Sequence, residues 1–335
     1  MRISLNWLTD YVDVRMPASE LADVLTRVGV SCEEIIETPT DVVLDLEITS
    51  NRPDLLGHIG VARELAAVTG EEFRPPKIAA LPTEGRVEDL TSVEVLAPDL
   101  CPRYTARVIR GVKVAPSPAW MVERLEAAGM RSINNIVDAT NYVLLEYSQP
   151  LHAFDYDKLT ENRIVVRRAA GGERMVSIDE TTCDLDESML IIADAKYPVA
   201  IAGIMGGLST EVTDATVNVL IESAQFDPLT TRRTSRRLAL MSESNYRFER
   251  GVDPVAIDTA SLRACELIVK TGGGRLAEGI VDVWAAPYEA PEVAVRPERA
   301  NLLLGMDTPP EKQMEILERP VSYTHLRAHE TSLHL

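Results

Sequence analysis

Cysteine is sparse in this 335-residue chain, and the few present do not cluster. Cys32, Cys101, Cys183 and Cys265 stand far apart with no C-x-x-C pair. That spacing argues against a disulfide framework or a zinc site and fits reduced, mostly buried thiols. Histidine is as thin: of five, only His58 and His152 lie outside the last fifteen residues, so a multi-histidine metal centre is not expected. No apolar run approaches the ~20 residues a membrane span requires. The opening MRISLNWL is too short and too polar for a secretory signal. These absences make the cytoplasm the expected compartment. Basic charge is also short: 34 Lys and Arg face 52 Asp and Glu, a net charge of −18. Nucleic-acid binding depends on neutralising phosphates, so any RNA contact is expected to be local or shared with a more basic partner.

What the chain does have is material for packed cores, with 45% hydrophobic and 26% charged residues. Leu21, Val24, Leu25 and Val28 follow helical spacing, with Ser19 near the start and Gly29 past the end. Val42, Leu44, Leu46 and Ile48 alternate as one face of a strand. After Asn51-Arg52-Pro53, Asp54 is placed to cap a helix from Leu55 to Thr69, which stops at Gly70. Residues 76–90 read as a linker, in a proline-rich stretch that begins near residue 71. Beyond it, strands are expected at 92–96, 104–110, 163–168, 189–193, 198–202 and 217–221. Helices are expected from Ser117-Pro118 to Gly129, from Ile136 to Leu145, and over 229–239 and 255–270. No repeat and no regular βαβ pattern is visible. The expected class is α+β: a small N-terminal α/β element over 1–75 packed with a larger mixed α+β domain over 91–285. Residues 286–319 open a further unit.

Several residues are candidates for chemistry. His152 lies in SQPLHAFD, after a proline-containing turn, and a neutral imidazole there would orient a water or accept its proton. Asn141 stands eleven residues earlier, with Asn134 and Asn135 nearby; turn and capping roles are the plain reading for all three. Glu222 ends the apolar run VNVLI, and an acid at the end of a core strand needs a partner or a ligand. Gly206 and Gly207, in GIMGGLS, would let backbone amides approach an oxyanion, or simply form a tight turn. The Lys and spacing of a phosphate-binding P-loop are absent. Arg232, Arg233, Arg236 and Arg237 share one broad helix side, with Arg247 and Arg250 close behind. This basic cluster suits phosphates or an acidic partner surface, and internal salt bridges would explain it as well.

Seven segments in order, RISLNWLTDYVD, LDLEITSNRPDLLGHIGVARELAAVTG, NNIVDATNYVLLEYSQPLHAFD, IAGIMGG, VLIESAQFDP, RRTSRRLAL and YRFERGVDP, closely resemble the β subunits of bacterial-type phenylalanyl-tRNA synthetases. The larger domain then resembles that family's B3/B4 editing domain, and residues 286–319 the opening of its B5 domain. The resemblance implies an (αβ)2 heterotetramer whose α subunit charges tRNA(Phe) with phenylalanine using ATP and Mg2+, and no cofactor or metal in this portion. It implies a β subunit that hydrolyses tyrosine wrongly attached to that tRNA. Within it, the family's editing histidine falls on His152, its asparagine on Asn141, its reader of the tyrosine hydroxyl on Glu222 and its glycine wall on Gly206 and Gly207. Where many members read LHTDAS, this chain has Leu240-Met241-Ser242-Glu243-Ser244-Asn245. Ser242 and Ser244 are thus expected at the substrate pocket, with Ser244 replacing a small apolar residue. The family's usual inserted tRNA-binding domain has no counterpart between Gly29 and Leu44, and the chain is expected to be cut short of the later domains. The tail over 320–335, with His325, His329 and His334, is expected to be artefactual and without function. Two alternatives stay open: a non-catalytic scaffold or tRNA-docking fragment, and a free-standing deacylase acting in trans.

Overall fold

The computed structural model of the chain describes residues 1–319 and 332–334. Near the N-terminus, Arg2–Ser4, Val42–Glu47 and Ser31–Glu37 form an antiparallel sheet with Val42–Glu47 in the middle. Helix Ala18–Arg27 turns Leu21, Ala22 and Leu25 inward, as its spacing requires. The expected helix from Leu55 is interrupted: Pro53–Leu55 forms one 3-10 turn, and the α-helix runs His58–Thr69 with Gly57 as its cap. Asp54 does not cap it, because its carboxylate is gripped at both oxygens by Arg52, at 3.0 and 2.8 Å.

The remainder is built on two sheets. In the larger, the strand order is Thr83–Arg86, Arg275–Glu278, Arg103–Arg110, Asn218–Gln225 and Leu151–Asp155, with Val281–Trp284 also pairing Arg103–Arg110. Thr83–Arg86 lies in the stretch read as a linker and adds an edge strand. The smaller sheet runs Met205–Gly206, Pro198–Ile201, Leu190–Ala193, Arg163–Arg168 and Ser92–Val95. Strand alternation divides the larger sheet into two apolar faces. Ile109, Ala153, Val219 and Ile221 face helices Asn135–Tyr147 and Ala256–Gly272, in one core that also takes in Trp7, Leu44 and Leu65 of the N-terminal unit. Tyr104, Ala106, Val108, Phe154 and Leu220 face the smaller sheet through Ile164, Val166, Leu190 and Ile192.

Two departures from the sequence reading bear on the site. The strand expected at 217–221 runs on to Gln225, so Glu222 sits inside it and not at its end. Backbone pairing on both sides, to Arg103–Arg110 and to Leu151–Asp155, carries the strand through the polar residues. His152 belongs to a strand, Leu151–Asp155, and not to a turn. Its register puts it directly opposite Glu222. Among the described residues, no helix is long and apolar enough to cross a membrane.

Candidate functional site

A cavity of about 220 Å³ opens between the two sheets. Glu222 and His152 border it from the larger sheet, Gly206 from the edge of the smaller one, and Asn141, Ser242 and Ser244 from the helices. Glu222 is 6% exposed, and its Oε2 accepts a 2.8 Å hydrogen bond from the Tyr104 hydroxyl. Burial pushes its pKa up to about 8, with the Tyr104 bond acting in the opposite direction. The carboxyl group is therefore largely protonated at neutral pH, and not the simple anion that its residue type suggests.

His152 is neutral at pH 7, since burial lowers its pKa to about 4. Its Nε2 is enclosed and has no hydrogen-bond partner among the described residues. The ring stands edge-on to Phe154, with centroids 4.4 Å apart, and lies against the backbone of Gly206. A Cβ at Gly206 would fall 2.3 Å from His152 Cε1, so only glycine leaves room for the imidazole. Gly207 has a different task. A Cβ there would lie 2.7 Å from the Val199 carbonyl oxygen, and its own N–H donates to that oxygen at 2.7 Å. The Gly207 amide is thus committed within the sheet and is not free to donate to an oxyanion.

Of the three asparagines, Asn134 is spent as the cap of helix Asn135–Tyr147, accepting from the amides of Ile136 and Val137. Asn135 is buried and ties down Ala115 and Lys113. Asn141, two turns into the helix, borders the cavity. Ser242 also borders it, but its hydroxyl donates to the Ile204 carbonyl at 2.9 Å and caps helix Glu243–Phe248 through the Asn245 amide. Ser242 therefore shapes the wall through its backbone duties, while Ser244 borders the cavity one residue into the helix.

The arginine cluster separates into three kinds. Arg232, Arg233, Arg236 and Arg237 are exposed on helix Pro228–Leu238, which leads away from the Glu222 strand. Arg237 pairs with Asp186 at 2.6 Å. Arg247, expected to meet tRNA or a partner, is 1% exposed; it donates to the Leu56 carbonyl at 2.9 Å and to Glu243 at 2.7 Å. It fastens the helix to the N-terminal unit and is out of reach of RNA. Arg250 is half-buried, paired with Glu249 at 2.7 Å and stacked over the Tyr246 ring.

No group of three or more His, Cys, Asp or Glu among the described residues is arranged to hold a metal ion. No residue here is assigned to ATP or Mg2+. His325 and His329 lie outside the described residues, and His334 falls in a short strand pairing with Glu292–Ala294. Tyr104 escaped the sequence reading because RYTARVIR looks like ordinary core strand; only its register reveals the contact with Glu222.

A family model described as the B3/4 domain matches residues 100–273. The phenylalanine–tRNA ligase β subunit of Rhodopirellula baltica is 48% identical over 92% of this chain and 45% of its own length. That of Moorella thermoacetica is 53% identical over 83% of this chain and 35% of its own. The chain thus spans less than half the length of these curated relatives. An N-terminal fragment of the phenylalanyl-tRNA synthetase β-subunit from Pyrococcus horikoshii covers 100% of this chain and 92% of itself, with a TM-score of 0.50. At 16% identity, that likeness speaks for the fold alone.

Proposed function

The chain belongs to the bacterial-type phenylalanyl-tRNA synthetase β-subunit family, matching its N-terminal portion with the B3/4 domain, and from this premise we propose that its cavity hydrolyses the ester of tyrosine mistakenly joined to tRNA(Phe). The observation that carries the reading is the pairing of Glu222 with His152 on adjacent strands of one cavity, with His152 Nε2 unspent.

Tyrosine differs from phenylalanine by one hydroxyl, which an apolar pocket rejects only modestly, by roughly 10². A pocket built to hydrogen-bond that hydroxyl discriminates far better, because its own buried polar group is left unpaired by the wrong ligand. Glu222 is suited to this task. Half-titrated near pH 8, it meets a phenol as acceptor or as donor. The neutral imidazole of His152 has a free nitrogen to orient the attacking water or take up its proton. Since the Gly207 amide is engaged, stabilisation of the developing oxyanion falls to donors that border the cavity, the Asn141 amide foremost. The tRNA backbone would run past the exposed Arg232, Arg233 and Arg236. Assembly with an α subunit that charges tRNA(Phe) with ATP and Mg2+, in the cytoplasm, belongs to the same reading of the whole protein.

Deacylation of Tyr-tRNA(Phe) and Phe-tRNA(Phe) by the chain tests this directly. Hydrolysis of the tyrosyl ester should exceed that of the phenylalanyl ester, and His152→Ala should abolish most of it. Equal rates for both esters, or no effect of the substitution, would remove the assignment. A second reading, a non-catalytic docking fragment, is favoured by the exposed arginine face. It predicts tRNA binding without ester hydrolysis in the same assay.

A further inference from the structure

Tyr104 lies in the middle of the sandwich and does not border the cavity. It pairs with Ala224, and Glu222 pairs with Ala106, so the two side chains are diagonal neighbours on the same face of adjacent strands. Tyr104 is fully buried, in the apolar layer with Phe154 and Leu220. A buried phenol needs a partner for its O–H, and here that partner is Glu222 Oε2 at 2.8 Å. Burial raises the Tyr104 pKa well above its ordinary value, so the phenol keeps its proton and remains a donor.

We propose that Tyr104 is a positioning residue that aims Glu222: by engaging Oε2 from behind the cavity wall, it fixes the carboxyl rotamer and leaves Oε1 as the oxygen a bound ligand meets. This inference rests on the editing role proposed for Glu222 and says how that role is made selective. A carboxyl group free to rotate would offer either oxygen and would adapt to water as readily as to a phenol. One held by a backing hydrogen bond presents one oxygen in one direction, as preorganised recognition requires. The other titratable groups around Glu222 are Cys101, in the turn before the Tyr104 strand, His152 opposite, and Glu211, which borders the same cavity. The Cys101 thiol is held protonated by burial, and the facing sheet presents Ile192 and Ala200. Tyr104 is therefore the group that favours the ionised form of Glu222.

The test uses the full chain and two stable probes, adenosine carrying tyrosine or phenylalanine through a 3′-amide in place of the ester. With Tyr104→Phe, the tyrosyl probe should bind about tenfold more weakly, the worth of one hydrogen bond, while the phenylalanyl probe is unaffected. The pH midpoint of tyrosyl-probe binding should rise, because the lost O–H no longer stabilises the carboxylate. If Tyr104→Phe keeps both the affinity ratio and the midpoint while Glu222→Ala collapses the ratio, Tyr104 has no aiming role. Equal weakening of both probes with a lower Tm makes Tyr104 mere core and likewise overturns the proposal. An unchanged ratio in Glu222→Ala overturns the underlying reading instead. Should Tyr104→Phe not fold, 3-fluorotyrosine placed at position 104, a stronger donor, should lower the midpoint; an unmoved midpoint counts against the role.

Discussion

Glu222 and His152 stand directly opposite each other in an antiparallel pair, one carboxyl and one imidazole on the same face of a buried sheet. Each has been pushed by burial toward its uncharged form, one up to about 8 and the other down to about 4. Near neutral pH they therefore coexist without the ion pair their residue types would suggest, which leaves His152 Nε2 without a hydrogen-bond partner among the described residues and one oxygen of Glu222 not engaged by Tyr104.

Replacing Glu222 by alanine should leave the cavity's apolar part in place and remove its reader of the hydroxyl. Tyrosyl-ester hydrolysis should then fall toward that of the phenylalanyl ester, a loss of discrimination of about 10² or more. Paired deacylation time courses on the two charged tRNAs measure it, and preserved discrimination would clear Glu222 of the role.

The raised pKa of Glu222 also enters stability. Its folded value near 8 lies above the usual carboxyl value of 4.5, so its favourable contribution is complete below about pH 4.5 and is lost as pH rises through 8. Glu222→Gln removes that dependence. The variant's Tm should fall less than the parent's between about pH 6 and pH 9. His58 and His152 act on the acid side: with folded values near 3 and 4, they stay neutral in the fold and cost stability as pH drops below 6.5. Melting curves across this range check both limbs.

Gly206→Ala places a methyl group where the His152 ring now lies, 2.3 Å from Cε1. Either the imidazole moves or the edge strand does, at a cost of about 1–3 kcal/mol. Ester hydrolysis should fall at least tenfold, by the rule that small misplacements at the reacting centre are costly. A fully active alanine variant would separate His152 from the chemistry.

Charge reversal at Arg232, Arg233 and Arg236 should weaken tRNA binding and flatten its salt dependence, with hydrolysis of a short aminoacyl-adenosine ester unchanged. Filter binding across a salt series checks this. Arg247→Ala should behave differently: it removes a buried strut, leaves the Leu56 carbonyl without its partner and should destabilise the fold by about 1–3 kcal/mol.

The strands and helices of the larger unit were legible because their apolar spacing follows the period of each element, as at Arg103–Arg110 and Ala256–Gly272. What local pattern could not supply was pairing. Leu151–Asp155 follows Pro150 and carries a histidine, so nothing within five residues marks it as a strand; its pairing partner lies some seventy residues away. The same limit hid Tyr104, whose importance depends on a neighbour more than a hundred positions distant. Asp54 and Arg247 misled in the opposite sense. Each has the residue type for a cap or a phosphate contact, but a local ion pair claims the first and burial claims the second.

Trp7, Leu44 and Leu65 share a single packed interior with Ile221 and with the helix that holds Asn141. That helix is also tied at its far end: His58 Nδ1 lies 2.9 Å from the Leu145 carbonyl, and Tyr11 donates to Glu146. A protein engineer seeking a minimal version of the cavity would be tempted to begin near residue 100, where the family match starts. Such a cut would peel one wall from the Asn141 helix and expose a broad greasy scar. The first seventy residues are the brace against which the cavity keeps its shape.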